Sequence, residues 1–353
     1  MMAVKPPAAL TPPTLVKTVL VNNLSNPWEM AFVGDGTMFF TQRGGTLSVR
    51  ETNGTVRQVT AISEVVASGE GGLMGLALDP NFASNRYIYM ALSSNFSGST
   101  DNRVVRWTIN AGYTTLSSRT DIVTGISYST GRHSGCRIKF GPDGYLWIGT
   151  GDAAIGTAPQ STTVLGGKVL RVDRDGNAAP GNAGGSFDAR IHSYGHRNVQ
   201  GLMFRPSDGQ AFNVEHGTYR DDEVNKLIAG ANYGYDPVPG YDESVPMTDT
   251  TKFPGATVAT WTSGDPTIAP SGGTFLSGPQ WKAWNGYAAV AVLKDSHLMI
   301  LQISSNGLTT LSTQKVFDND GYRLRSAVQG PDGNLYISTD NGSNDQIWRV
   351  TPQ

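Results

Sequence analysis

One unit recurs along this chain: an apolar run, a tight turn rich in Asp and Gly, and a second apolar run. Trp28–Phe32 leads through Gly34-Asp35-Gly36 to Met38–Phe40, and Leu73–Leu78 leads through Asp79-Pro80-Asn81 to Tyr87–Met90. Ile138–Phe140 is followed by Pro142-Asp143-Gly144, and Leu202–Phe204 by Pro206-Ser207-Asp208-Gly209. Ala327-Val328 returns to the pattern with Pro331-Asp332-Gly333 and Leu335–Ile337, and a weaker copy covers Ala283–Leu293. Asp-Gly and Pro-Asp-Gly supply the positive-φ positions of tight hairpins, so the short apolar runs beside them read as strands. Six copies in 353 residues correspond to about 60 residues each, near the upper end of propeller-blade periods. No long stretch carries a helical period, and 43 glycines suit a chain full of turns. The expectation is an all-β fold, a six-bladed β-propeller of four-stranded antiparallel blades. A pair of β-sandwiches is the rival. Residues 1–14 are expected to be a flexible N-terminal segment, and residues 15–353 a single β-propeller catalytic domain.

Composition narrows the partners. The net charge of −2 provides no basic field for nucleic acid or an anionic membrane surface. No apolar run is long enough to cross a bilayer. The lone Cys136 excludes an internal disulfide. The start, Met1-Met2-Ala3-Val4-Lys5-Pro6-Pro7, lacks the apolar core of an export signal, so an exported protein would have to have lost one already. A cytoplasmic protein with a loose tail is the other reading.

Two segments depart from the repeat. Arg132-His133-Ser134-Gly135-Cys136-Arg137 places an acid–base side chain just ahead of a strand. Between Ile191 and Tyr235, charged and glycine residues are dense in a chain that is only 16% charged. There Gly217-Thr218 and Asp221-Asp222-Glu223 offer carbonyl and carboxylate oxygens, the hard ligands that Ca²⁺ prefers. An acidic triplet in a loop is equally at home in solvent.

Five blocks taken together carry a family resemblance: Gly69-Glu70-Gly71-Gly72-Leu73, the His133 segment, Leu165-Gly166-Gly167-Lys168-Val169-Leu170-Arg171, Gly195-His196-Arg197-Asn198-Val199-Gln200-Gly201, and Arg323-Leu324-Arg325. In this order and spacing, from about Asn26 to Val350, the chain resembles the glucose/sorbosone dehydrogenase family. These are soluble, PQQ-dependent aldose dehydrogenases built on a six-bladed propeller. The resemblance implies that His133 is the general base for the anomeric hydroxyl, while the C1 hydride passes to PQQ C5. It implies that Arg197 and Asn198 contact PQQ, with Arg197 stabilising the charge that develops on it. Lys294, Arg323 and Arg325 match the remaining cationic contacts, and guanidinium suits a planar tricarboxylate because it donates two parallel hydrogen bonds. Gly217 and Thr218 match the carbonyl ligands of the Ca²⁺ that also binds PQQ. Glu223 and the Tyr233 carbonyl match a second, structural Ca²⁺ site.

Two positions leave the family pattern. Glu70 stands where glucose-specific members carry glutamine beside the cofactor and sugar, and Arg132 where they carry aspartate before the base. The implied activity is therefore broad aldose oxidation to lactones, with electrons passed to an external acceptor. The implied protein is a monomer with a periplasmic or secreted location. Cys136 is expected to pack, and a tryptophan near Trp261 to stack on the cofactor. A Ca²⁺-dependent propeller hydrolase or lactonase is the alternative enzyme, and a non-catalytic binding propeller the alternative outside catalysis.

Overall fold

The recurring units supply the inner strands of the blades. In the computed structural model, which describes residues 10–353, the described strands form six four-stranded antiparallel sheets. The innermost strands are Pro27–Phe32, Leu73–Leu78, Gly135–Phe140, Val199–Phe204, Pro270–Phe275 and Leu324–Gln329. The first five blades add their strands outward in chain order. The sixth is completed from the other end of the chain: Leu15–Leu24 pairs with Asp345–Pro352, from Leu15 opposite Pro352 to Leu24 opposite Asp345. That pairing closes the ring and removes the open edge a linear array would leave. Of the N-terminal segment expected to be flexible, residues 1–9 lie outside the described residues. Thr11 accepts a bond from Ala283 N, and Thr14 exchanges two with Gln353.

The six-bladed expectation holds, with one boundary moved. The weak copy over Ala283–Leu293 contains the second strand of the fifth blade, Ala288–Val292, whose inner strand is Pro270–Phe275. That inner strand escapes an apolar pattern because small residues are required there. A Cβ on Gly272 would lie 2.9 Å from the Arg137 guanidinium, and one on Gly273 would lie 2.8 Å from Met203 Sδ.

The first two strands of a blade are packed on both faces, which is why the innermost Leu73–Leu78 and the second strand Ala288–Val292 are continuously apolar rather than alternating. Six buried apolar clusters result, one at each boundary between neighbouring blades. Cys136 lies in the cluster between the second and third blades, where burial pushes its thiol far up and keeps it a packing residue. Arg137 ties the axis together. It pairs with Glu29, donates to Gln200 O at 2.7 Å, reaches Ser271 and Ser326, and stacks on Trp28 at 3.9 Å. One guanidinium thereby joins the first, third, fourth, fifth and sixth blades. Among the described residues no helix is long and apolar enough to cross a membrane.

Candidate functional site

In an antiparallel blade the start of the innermost strand and the end of the second strand lie on the same rim. Residues at those positions therefore converge around the axis. Glu70, His133, Arg197, Asn198 and Ala269 precede innermost strands, while Asp152, His216, Lys294 and Asp340 follow second strands. A cleft of about 220 Å³ opens there, lined by Glu70, His133, Arg197, Asn198, Gly217 and Thr218, with His216, Asp222, Thr267 and Ala269 beside them.

His133 is 3% exposed and has φ of +51°, an uncommon conformation for a residue other than glycine. The backbone passes so close to Gly151 that only glycine fits there: an added Cβ would fall 1.7 Å from His133 O. His133 Nδ1 lies 2.8 Å from Asp152 Oδ1, and the Tyr241 hydroxyl lies 3.0 Å from the same nitrogen and 2.7 Å from Asp152 Oδ2. Asp152 Oδ1 also accepts Ala154 N at 2.8 Å. With the carboxylate beside it, Nδ1 carries the proton and donates, leaving Nε2 as the basic atom. No hydrogen bond from a described residue occupies Nε2.

Glu70 accepts Asn198 Nδ2 at 2.9 Å. Burial pushes its carboxyl up, but the His133 and His216 imidazoles and the Asn198 amide outweigh burial and hold it below the usual carboxylate value. It is thus an anion facing two imidazoles. Asn198 in turn fixes Gly135 N through Oδ1, at 3.1 Å, and accepts Gln200 Nε2 at 3.2 Å. Arg197 is 5% exposed; it donates to His216 O at 3.2 Å and meets Glu243 at 2.5 Å, while its Nε is buried without a partner.

Lys294, Arg323 and Arg325 surround the cleft without lining it. Lys294 is exposed at the rim, donating to Thr267 Oγ1 at 3.2 Å. Arg325 donates to Gln200 Oε1 at 3.0 Å and pairs with Asp340, and Arg323 donates to the Asp340 carbonyl at 3.2 Å. Both arginines therefore meet the same residue. Gly217 and Thr218 carbonyl oxygens accept no hydrogen bond among the described residues. Gly217 N is held by Asp222 Oδ1 at 2.9 Å, and Asp222 Oδ2 takes Ile268 N and Ala269 N at 2.6 and 2.8 Å. Asp222 is 1% exposed, so it is a brace for this loop rather than a solvated charge.

Glu223 and Tyr233 lie behind the cleft. Glu223 is 2% exposed, and burial with the neighbouring Glu215 pushes its carboxyl up to about 8. Asn213 Oδ1 and Asn225 Oδ1 are buried without partners on the same blade, where register sets Asn213 opposite Asn225 and Glu215 opposite Glu223. His196 is not in the cleft; it donates or accepts between Glu215 and Ser193, each at 2.9 Å, and stacks on Tyr233. Trp261 packs with the apolar cluster between the fourth and fifth blades and is not among the residues lining the cleft. Sequence reasoning also missed Asp152, Glu215, Tyr241 and Glu243. Asp152 had a legible signal, since it follows a second strand as Lys294 and Asp340 do. Tyr241 and Glu243 lie on the long connection between residues 227 and 260, which has no pattern to read.

The chain is similar to known proteins over nearly its whole length. The family model for Glucose / Sorbosone dehydrogenase matches residues 24–349. Aldose sugar dehydrogenase YliI of Escherichia coli is 29% identical over 97% of this chain and 94% of its own length. Quinoprotein glucose dehydrogenase B of Acinetobacter calcoaceticus is 28% identical over 94% of this chain and 86% of its own. The solved PQQ-bound form of an aldose sugar dehydrogenase from Streptomyces coelicolor superposes with a TM-score of 0.81, at 28% identity, over 97% of this chain and all of that one. The chain belongs to the glucose/sorbosone dehydrogenase family.

Proposed function

We propose that this protein oxidises the C1 hydroxyl of aldoses to lactones, dependent on PQQ and Ca²⁺, and passes the electrons to an external acceptor. The observation that carries the proposal is the buried Asp152–His133 pair with Nε2 free toward a cleft whose other walls are cationic or oxygen-rich. The residues present fit the cofactors. Arg197 keeps an unpaired buried N–H, and Lys294, Arg323 and Arg325 ring the same rim for a planar polyanion. The unengaged Gly217 and Thr218 carbonyls suit a hard cation. A second Ca²⁺ is proposed at Glu223 and the Tyr233 carbonyl, where Glu215 and two unpartnered amide oxygens add to the donor set.

PQQ, held by Arg197, Asn198 and the rim cations, would supply a two-electron acceptor for the C1 hydride, and Ca²⁺ at the Gly217 and Thr218 carbonyls would supply a Lewis acid. His133 Nε2 takes the proton of the anomeric hydroxyl, and Asp152 stabilises the imidazolium that forms. Loss of one proton and one hydride converts the hemiacetal to the lactone. Arg197 stabilises negative charge on the acceptor side of the site, and Asn198 holds the backbone of the His133 strand in place. Glu70, directed at the imidazoles and Asn198, offers an acceptor to a sugar hydroxyl. Broad aldose use, a monomeric state and a periplasmic or secreted location are part of the same proposal.

The test is dye-linked oxidation of glucose and xylose by the purified protein stripped of cofactors, with PQQ and Ca²⁺ added singly and together. Activity appearing only with both supports the proposal. Full activity without either, or no PQQ binding with both present, overturns it. The hydrolase alternative gains nothing from the arginines around Asp340, and lactone cleavage by the stripped protein with Ca²⁺ alone would bring it forward.

A further inference from the structure

The connection from residue 227 to 260 crosses over the site, and its tip is anchored at several points. Glu243 Oε1 meets both Arg132, at 2.7 Å, and Arg197, at 2.5 Å. The Arg132 guanidinium lies over the Tyr241 ring at 5.5 Å. Gly240 packs so closely on Gly156 that a Cβ there would fall 2.1 Å from Gly240 O. At the base of the loop Lys252 pairs with Asp236 at 2.5 Å. These anchors hold the Tyr241 hydroxyl between His133 and Asp152.

From this placement we infer that Tyr241 is a positioning residue for the base: it holds Asp152 and the Nδ1–H tautomer of His133 through a three-membered hydrogen-bond ring. The inference rests on the role proposed above for His133. The assignment of protons follows from chemistry. Burial and the Asp152 carboxylate push the Tyr241 phenol far up, so it remains a hydroxyl and donates to Asp152 Oδ2. Its oxygen then faces Nδ1–H, which is shared between Asp152 Oδ1 and the phenol oxygen. With Oδ1 taken by Ala154 N and Nδ1, and Oδ2 by the phenol, the carboxylate has no freedom to turn. The imidazole plane is set by this ring, and Nε2 is aimed at the cleft.

The phenol acts at both ends of the pair: its O–H donates to Asp152 Oδ2 and its oxygen accepts from Nδ1–H, so removing it frees the carboxylate and the imidazole together. The other charged and titratable groups facing this cluster are Lys168 on the same blade, Glu70 and His216 from neighbouring blades, and Arg132, Arg197, Tyr235 and Glu243 around the loop. Tyr241→Phe leaves all of these in place.

Two readouts on the full-length chain test the inference. The first is the nitrogen-15 NMR spectrum of the histidine rings without PQQ, assigned with His133→Ala, in which the Nδ1 and Nε2 chemical shifts report the tautomer. Wild type is expected to show the Nδ1–H tautomer at His133, and Tyr241→Phe a mixture of the two tautomers. The second is steady-state turnover after reconstitution with PQQ and Ca²⁺: kcat is expected to fall about tenfold with KM for the sugar within about twofold. An unchanged His133 tautomer in Tyr241→Phe overturns the inference whatever happens to turnover. A changed tautomer with full turnover in both Tyr241→Phe and His133→Ala would instead overturn the base role of His133.

Discussion

Replacing Asp152 by asparagine separates charge from geometry at the centre of the site. The backbone N–H of Ala154, 2.8 Å from Oδ1, fixes which way the new amide faces. Its oxygen must meet Ala154 and His133, and its NH₂ must meet the Tyr241 oxygen. The bond from Nδ1–H to this oxygen is therefore kept, while the bond with the Tyr241 phenol reverses and the negative charge is lost. Asp152 is fully buried, so solvent does little to screen that loss. An opposite charge at this range is worth about 1.4–4 kcal/mol to the imidazolium formed when the hydroxyl proton is taken. The expected fall in kcat is about tenfold to about 10³-fold. PQQ affinity and sugar KM should change little, since Asp152 does not line the cleft. Steady-state dye reduction reads kcat and KM together. Turnover within about twofold of wild type would refute the reasoning, because the pair would then contribute no charge stabilisation.

The remaining predictions concern the frame of the site. Arg137→Met strands Glu29 as a buried, unpaired carboxylate and should cost about 3–5 kcal/mol in thermal or denaturant unfolding. Adding Glu29→Met should recover most of the loss, and a double variant weaker than the sum of the singles would show the axial pair to be wrongly read. At Asp340, burial alone would raise the carboxyl, but Arg325, Asn26 and Arg43 hold it below the usual value. Its contribution to stability is therefore present above its unfolded pKa, about 3.9, and is lost as pH falls through the lower folded value. Asp340→Asn should flatten the acid limb of the stability curve below about pH 4; a limb as steep as wild type would count against it.

Much of the architecture was legible because turn chemistry repeats. Asp35-Gly36, Asp143-Gly144, Asp208-Gly209 and Asp332-Gly333 each sit between the first two strands of a blade. The fifth blade was not legible from its inner strand, since Pro270-Ser271-Gly272-Gly273 is shaped by the neighbouring Arg137 and Met203 and not by an apolar rhythm. At the site, residues adjoining recognisable strands could be found: His133 and Arg197 stand just before inner strands, and Lys294 just after a second strand. Residues that reach the site by tertiary packing alone could not. Tyr241 and Glu243 arrive from a long irregular connection, and nothing in the local sequence tells which of its side chains points inward. Glu215 was hidden for a different reason: it ends a strand whose partner, Glu223, lies across a register that only the folded blade defines.

The central claim is that His133 removes the proton while bound PQQ takes the hydride. The measurement that tests it most directly is the rate at which bound PQQ is reduced by an aldose in a single turnover, without any external acceptor. It should be followed by absorbance in wild type and in His133→Ala, both loaded with PQQ and Ca²⁺. The account predicts equal PQQ loading, with reduction in the variant slower by about 10²–10⁴-fold. Equal loading with equal rates would contradict it.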